Sequence, residues 1–139
     1  MRVMGLDVGT RTIGVAVSDP VGLTAQGIEV IRRRDLVQDL SRLRELMTEY
    51  EVQCFVVGIP INMNGTYGPA AEEARRFAQL LRDEFNRPVF EEDERLTTVA
   101  AEKILLEADL SRQRRRQVID KVAASLILQK FLAQRGNKD

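Results

Sequence analysis

The sequence predicts an α/β fold, a mixed five-stranded sheet in the order βββαβαβαα with helices on both faces. Three observations carry this. Valine- and isoleucine-rich runs at 2–7 and 13–18 are separated only by the turn-forming "GTRT". Later strand-like runs alternate with segments whose apolar residues recur at helical spacing. Glycine, proline and asparagine clusters punctuate the boundaries.

Each element follows from local pattern. The 2–7 and 13–18 runs form a hairpin in which Gly9 can take a positive φ, and a third short strand covers 26–32. Leu36, Leu40, Leu43, Leu46, Met47 and Tyr50 mark a helix over 36–50. "CFVVGIP" is an apolar run of the length of a buried strand, closed by Pro60. "INMNGTYGP" is a loop, and Pro69 suits the first turn of a helix reaching Phe85, with Ala71, Ala74, Phe77, Ala78 and Leu81 as its buried stripe. A fifth strand covers 88–92, Thr97 or Thr98 caps a helix to about Ala108, and a last helix spans 114–134.

The right-handed crossover rule makes strands 1, 4 and 5 parallel, so their carboxyl ends share one edge. Ligands of open α/β sheets bind at such an edge. Asp7, the 60–68 loop and "EEDER" at 91–95 are expected around one crevice there.

The 139 residues fit one domain, 1–139, large enough to bury its apolar surface without staples. No apolar stretch approaches the roughly 20 residues that span a bilayer, and the first residues lack the layout of a signal peptide. The expectation is a soluble, cytoplasmic protein. Cys54 is the single cysteine and there is no histidine, which excludes disulfide frameworks, thiolate-rich zinc sites and Ser-His-Asp or Cys-His catalysis. Cys54, inside "CFVVG", reads as a small core residue. Any chemistry falls to carboxylates, hydroxyls, lysine and arginine.

Basic and acidic residues balance at 21 each, so overall charge names no partner. Basic residues nevertheless cluster at 32–34, at Arg75 and Arg76, and at 111–116, which makes them either solvated surface or a track for a phosphate backbone. Asp7 ends an apolar strand and is followed by Gly9, Thr10 and Arg11. A carboxylate in that setting asks for a cation. Asp120 lies at the border of the apolar stripe of the last helix, where it could serve a site or merely complement the helix dipole.

Four stretches in this order, "GLDVGTRTIGVAVSD", "VVGIPINMNGT", "DERLTT" and "VIDKVAASLIL", resemble the YqgF/RuvX family over nearly the whole chain. That family comprises pre-16S rRNA processing nucleases of the RNase H-like fold, related to RuvC-type Holliday junction resolvases. The resemblance implies a hydrolase acting on ester bonds, a metal-dependent endonuclease that matures the 5′ end of 16S rRNA. It also implies an acidic metal ligand at Asp120 in the last helix.

The residues agree with a metal site. A pair of Mg²⁺ or Mn²⁺ ions about 3.5–4 Å apart takes oxygen ligands and hydrolyses a phosphodiester without histidine. Asp7, Glu94 and Asp120 are the expected ligands and catalytic groups. In related resolvases an acid ends the fourth strand, but here Gly58 stands there, so "DERLTT" looks like the substitute. The strand's period of two admits only one of Asp93 and Glu94. Glu94 is preferred, with Asp93 left to orient Arg95 or cap a turn and Glu91 and Glu92 solvated or paired.

Arg11 and Arg95 are candidate phosphate contacts, with a salt bridge to a nearby acid as the alternative. Asn62, Asn64, Gly65 and Gly68 could present backbone amides to nucleic acid, though a plain turn explains them nearly as well. Thr97 is first a helix cap and second a substrate contact. Tyr67 is the one aromatic outside the expected core.

Three alternatives stay open: a Holliday junction resolvase-like DNase, a catalytically silent nucleic-acid-binding module, and a nucleotide-binding protein suggested by "DVGT". The last needs two such domains, and this chain has room for one. Nothing in the spacing separates RNA from DNA, and a homodimer is neither required nor excluded.

Overall fold

A computed structural model describes residues 1–95 and 112–136; within the last helix the side chains of 112–118, 120 and 136 lie outside the described residues. The elements are β1 (Val3–Val8), β2 (Thr12–Ser18), β3 (Ala25–Arg32), α1 (Leu36–Glu49), β4 (Cys54–Ile59), α2 (Pro69–Phe85), β5 (Val89–Asp93) and α3 (Arg112–Gly136). The expected helix from Thr97 or Thr98 to Ala108 falls outside the described residues.

The five strands form one sheet in the order β3-β2-β1-β4-β5. β1, β2 and β3 are an antiparallel meander, with Asp7 opposite Gly14. β1–β4 and β4–β5 are parallel, with Leu6 beside Val57 and Gly58 beside Glu92. The carboxyl ends of β1, β4 and β5 thus lie along one edge, as the crossover rule requires.

Strand periodicity divides the core into two layers. Met4, Leu6, Val15, Phe55 and Val57 face α1 and α2, meeting Leu43, Phe77 and Leu81. Val3, Ala16, Cys54 and Val56 face α3, meeting Ala124, Ile127 and Leu128. Two helices therefore cover one face and α3 the other. Cys54 is a free, buried thiol in the second layer, and burial raises its pKa against the weaker influence of Arg135.

Local chemistry sets the ends. Asp35 caps α1, its Oδ1 accepting from Gln38 N at 2.8 Å. Pro69 opens α2, and Asn86 closes it in the left-handed region at φ 53°. The hairpin turn uses its glycine differently from the left-handed conformation that the sequence allows. Gly9 is not among the positive-φ glycines; its amide donates to Thr12 O at 2.8 Å, and a Cβ there would stand 3.1 Å from that same oxygen. Close approach of backbone to backbone, rather than handedness, favours glycine in this turn. Among the described residues no helix is long and apolar enough to cross a membrane.

Candidate active site

Asp7 occupies the next-to-last position of β1 on the face toward α3, two residues beyond Gly5, which lies under Leu128 and Ala124. Glu94 immediately follows β5 and turns in on the same face. Along β5 the sides alternate as the strand period demands. Glu91 reaches Arg75 of α2 at 3.1 Å and Arg82 at 3.5 Å, whereas Glu92, buried, faces Lys130 of α3 at 3.5 Å.

The sequence treated Asp93 and Glu94 as rivals, and the structure separates their surroundings. Asp93 is bound to its neighbour: Oδ1 accepts from Arg95 N at 2.9 Å, and Oδ2 from Arg95 Nε at 2.9 Å and a terminal guanidinium nitrogen at 2.7 Å. Desolvation is the largest single influence and raises the Asp93 carboxyl, but the bonds and charge of Arg95 together with the charge of Lys130 outweigh it and hold the group below its usual range. Glu94 instead is buried, 8% exposed, and one of its oxygens, Oε2, has no hydrogen-bond partner among the described residues.

The Glu94 and Asp7 carboxyls stand within hydrogen-bonding reach of each other. Burial first, then the charge of Asp7, their shared hydrogen bond and the charge of Asp93 push Glu94 up to about 9. A buried acid held against a second, half-buried one needs a shared proton or a cation between them. Their oxygens are the donors that a hard divalent ion takes, and Oε2 is the donor still to be satisfied. The described residues therefore fit such an ion.

Residue 120 falls within α3, one turn before Ala124, whose carbonyl lies over Gly5. The Asp120 side chain lies outside the described residues. Among the described residues no three of His, Cys, Asp and Glu converge as a metal site, so the described centre is the pair Asp7 and Glu94.

The expected substrate contacts take different places. Arg11 is exposed in the β1–β2 turn, where its carbonyl accepts from Arg33 N at 2.8 Å. Arg95 is held by Asp93. The 61–68 loop closes on itself: Asn62 N donates to Thr66 O at 2.9 Å, Gly65 N to Asn62 O at 2.8 Å, and Asn64 Oδ1 accepts from Thr66 N and Thr66 Oγ1 at 3.1 and 2.6 Å. Asn62 Nδ2 donates to Thr66 Oγ1 at 3.0 Å. The amides of Asn62, Gly65 and Thr66 are spent on the loop's own turn. Thr97 lies outside the described residues, and half-exposed Tyr67 stacks under the Arg75 guanidinium at 5.2 Å.

Three features of the site had no local signal in the sequence. Gly58 provides the space for the Glu94 carboxyl, since a Cβ there would stand 2.8 Å from Oε2 and collide with Ile127 Cδ1. Ile127 roofs the same spot from α3. Lys130, one helical turn further, donates to Asp93 O at 2.8 Å and fixes the end of β5. Only the helical interval from 120 to 127 hints that Ile127 shares a face with Asp120.

Comparison with known proteins agrees with this architecture. A protein from Moorella thermoacetica named "Putative pre-16S rRNA nuclease" is 62% identical over 136 residues, covering 98% of this chain and 97% of the relative. One of the same name from Symbiobacterium thermophilum is 61% identical, covering 98% and 94%. In fold the chain resembles T. thermophilus RuvC in complex with a Holliday junction substrate, with TM-score 0.59 at 16% identity over 98% of this chain and 96% of that one. It also resembles the Fowlpox virus resolvase, with TM-score 0.57 at 10% identity over 97% and 99%. The family model described as "RuvX: Holliday junction resolvase" matches residues 1–134, and the chain belongs to that family.

Proposed function

We propose that this chain is a metal-dependent endonuclease that hydrolyses phosphodiester bonds in RNA, and that its task is the 5′-end maturation of pre-16S rRNA in the cytoplasm. The observation that carries this reading is the pairing of buried Glu94 with half-buried Asp7 at the carboxyl edge of the sheet. The names of relatives identical at more than 60% over almost their whole length support the substrate class.

Asp7 and Glu94, joined by Asp120 from α3, would hold Mg²⁺ or Mn²⁺, two ions in this reading, which when bound activate water and neutralise the leaving oxygen of the phosphodiester. The chain's own residues prepare that chemistry. Gly58 and Ile127 give Glu94 a dry seat, where its charge acts at full strength once its proton has left. Asp93 holds the Arg95 guanidinium just beyond β5, and Arg11 lies in the turn after Asp7. Both cations suit the non-bridging oxygens of a phosphate. Asn62, Asn64 and Thr97 are the further candidate contacts, and the single domain 1–139 carries the whole centre.

The test is cleavage of a pre-16S 5′-leader RNA, generic single-stranded RNA and a four-way DNA junction, with Mg²⁺ or Mn²⁺ and with chelator. The expected result is ion-dependent cleavage of the leader RNA by the native chain and none by Asp7→Asn or Asp120→Asn of equal thermal stability. Preferential cleavage of the junction would replace the RNA reading with a resolvase. Ion-dependent binding of RNA without cleavage of any substrate would leave a silent binding module.

A further inference from the structure

On the opposite face of the sheet from Glu94 the carboxyl edge opens into a groove of about 940 Å³ between the first turns of α1 and α2. Its floor is apolar, formed by Val8, Phe77 and Leu80, and Leu36 stands on its rim 43% exposed. Its walls are cationic. Arg33, Arg34 and Arg76 line it against only two carboxylates, Asp39 and Glu73.

Those carboxylates are already engaged. Asp39, buried, accepts from Arg33 Nε at 3.2 Å and from Arg34 N at 3.0 Å, and Glu73 is paired with Arg76. Arg33 is further held by its bond to Gly9 O at 2.9 Å and lies 5.5 Å above the Phe77 ring. The exposed guanidinium of Arg34 has no ion pair among the described residues. The surplus positive charge sits at the rim, above an apolar floor.

We propose that this groove receives an unstacked nucleotide of single-stranded RNA flanking the scissile phosphate, its base over Val8 and Leu80 beside the Arg33 guanidinium that covers Phe77, and its phosphate on Arg34. This rests on the nuclease reading of the Asp7–Glu94 centre and adds the path of the strand. Val8, Gly9 and Thr10 follow Asp7 directly and line the groove, so a strand leaving the centre crosses the end of β1 into it. A duplex keeps its bases stacked inward and cannot use an apolar floor, whereas a single strand can turn a base onto it. The cavity lies within the roughly 300–1,000 Å³ of clefts that bury a small ligand.

The test is equilibrium binding of fluorescent single-stranded RNA, with Ca²⁺ in place of the catalytic ion, to the native chain, Arg34→Glu, Leu36→Asp and Arg87→Glu. Arg87 lies at the opposite edge, before β5, and serves as control. Loss of one charge-assisted phosphate contact weakens binding about tenfold, and Arg34→Ala lowers the slope of log K against log salt by about 0.7. Weakening by Arg34→Glu and Leu36→Asp but not by Arg87→Glu supports the groove. Unchanged RNA affinity in both groove variants overturns it, and if Asp7→Asn still abolishes cleavage, the nuclease reading survives that loss. A groove effect on single-stranded DNA or duplex alone also overturns it. Absence of any nucleic-acid binding by the native chain overturns both readings together.

Discussion

The Glu94 carboxyl fills the volume that a side chain on Gly58 would occupy: a Cβ at residue 58 would stand 2.8 Å from Glu94 Oε2. Glycine at the end of β4 and the inward-turned acid after β5 are two halves of one arrangement. An acid at 58 and an acid seated from 94 would compete for the same space.

Gly58→Ala is therefore expected to push the Glu94 carboxyl aside and to crowd Ile127. Overpacking of this kind costs about 1–3 kcal/mol. Urea denaturation measures that loss, and calorimetric titration with Mn²⁺ should show weakened binding in the folded variant. Unchanged Mn²⁺ affinity would separate Gly58 from the seat of Glu94.

Stability without divalent ions is expected to fall as pH rises, through Glu94. Its folded value of about 9 lies above the ordinary 4.5, so between the two the folded chain binds a proton that the unfolded chain has lost. The contribution is complete below about 4.5 and disappears as pH passes about 9. Among the described residues Asp7 and Asp93 are the charges that act on it. In chelator, denaturation at about pH 6 and about pH 9 should show a larger loss for the native chain than for Glu94→Gln, which cannot ionise. Equal losses would contradict the burial of this carboxyl.

Excess Mn²⁺ should reverse the direction. Ligating carboxylates must be deprotonated, so binding releases the proton that Glu94 holds. The gain in melting temperature on adding Mn²⁺ is expected to be greater at about pH 8 than at about pH 6, and to shrink in Glu94→Gln. A gain independent of pH would show that Glu94 is not titrated by the ion.

Gly5→Val should destabilise the packing of α3 on the sheet. A Cβ at residue 5 would already stand 2.9 Å from Leu128 Cβ and 3.1 Å from Ala124 O. These atoms belong to the helix trunk and cannot swing away, so α3 must lift from β1. A loss of about 2–3 kcal/mol in chemical denaturation is expected, against a loss within about 0.5 kcal/mol for an exposed surface substitution such as Gln53→Ala.

Removing the guanidinium of Arg33 should leave Asp39 charged and buried beside one remaining amide. Asp39 is 2% exposed, and breaking such a pair from one side costs about 3 kcal/mol. Arg33→Ala is expected to lose about that much in urea, and Asp39→Asn less, because the amide oxygen still accepts from Arg34 N. Equal losses would show that the charge of the pair contributes nothing.

Much of this architecture was legible in the chain itself. Valine- and isoleucine-rich runs marked β1 and β2, a continuous apolar run marked β4, helical spacing marked α1 and α2, and the crossover rule placed Asp7 and the end of β5 on one edge. Asp7 stood out because a carboxylate breaks an apolar run at the end of β1, whereas Glu94 follows three other acids and was singled out only through the family resemblance and the strand's period of two. The conformation of Gly9 could not be read in the same way, since glycine serves a close approach as readily as a positive φ. The 61–68 loop was equally ambiguous, because asparagine and glycine suit a self-bonded turn and an open amide cradle alike.

The sequence by itself determined which residues alternate, which face is apolar and which strand ends carry acids, because these follow from periods of two and 3.6 along a single chain. Only the tertiary structure decided that Glu94 rather than Asp93 turns into the space over Gly58, that Lys130 secures the end of β5, and that Arg34 stands above an apolar groove with no ion pair among the described residues. Each of those depends on contacts between residues more than twenty positions apart, where a difference of one ångström selects the partner and no local pattern records it.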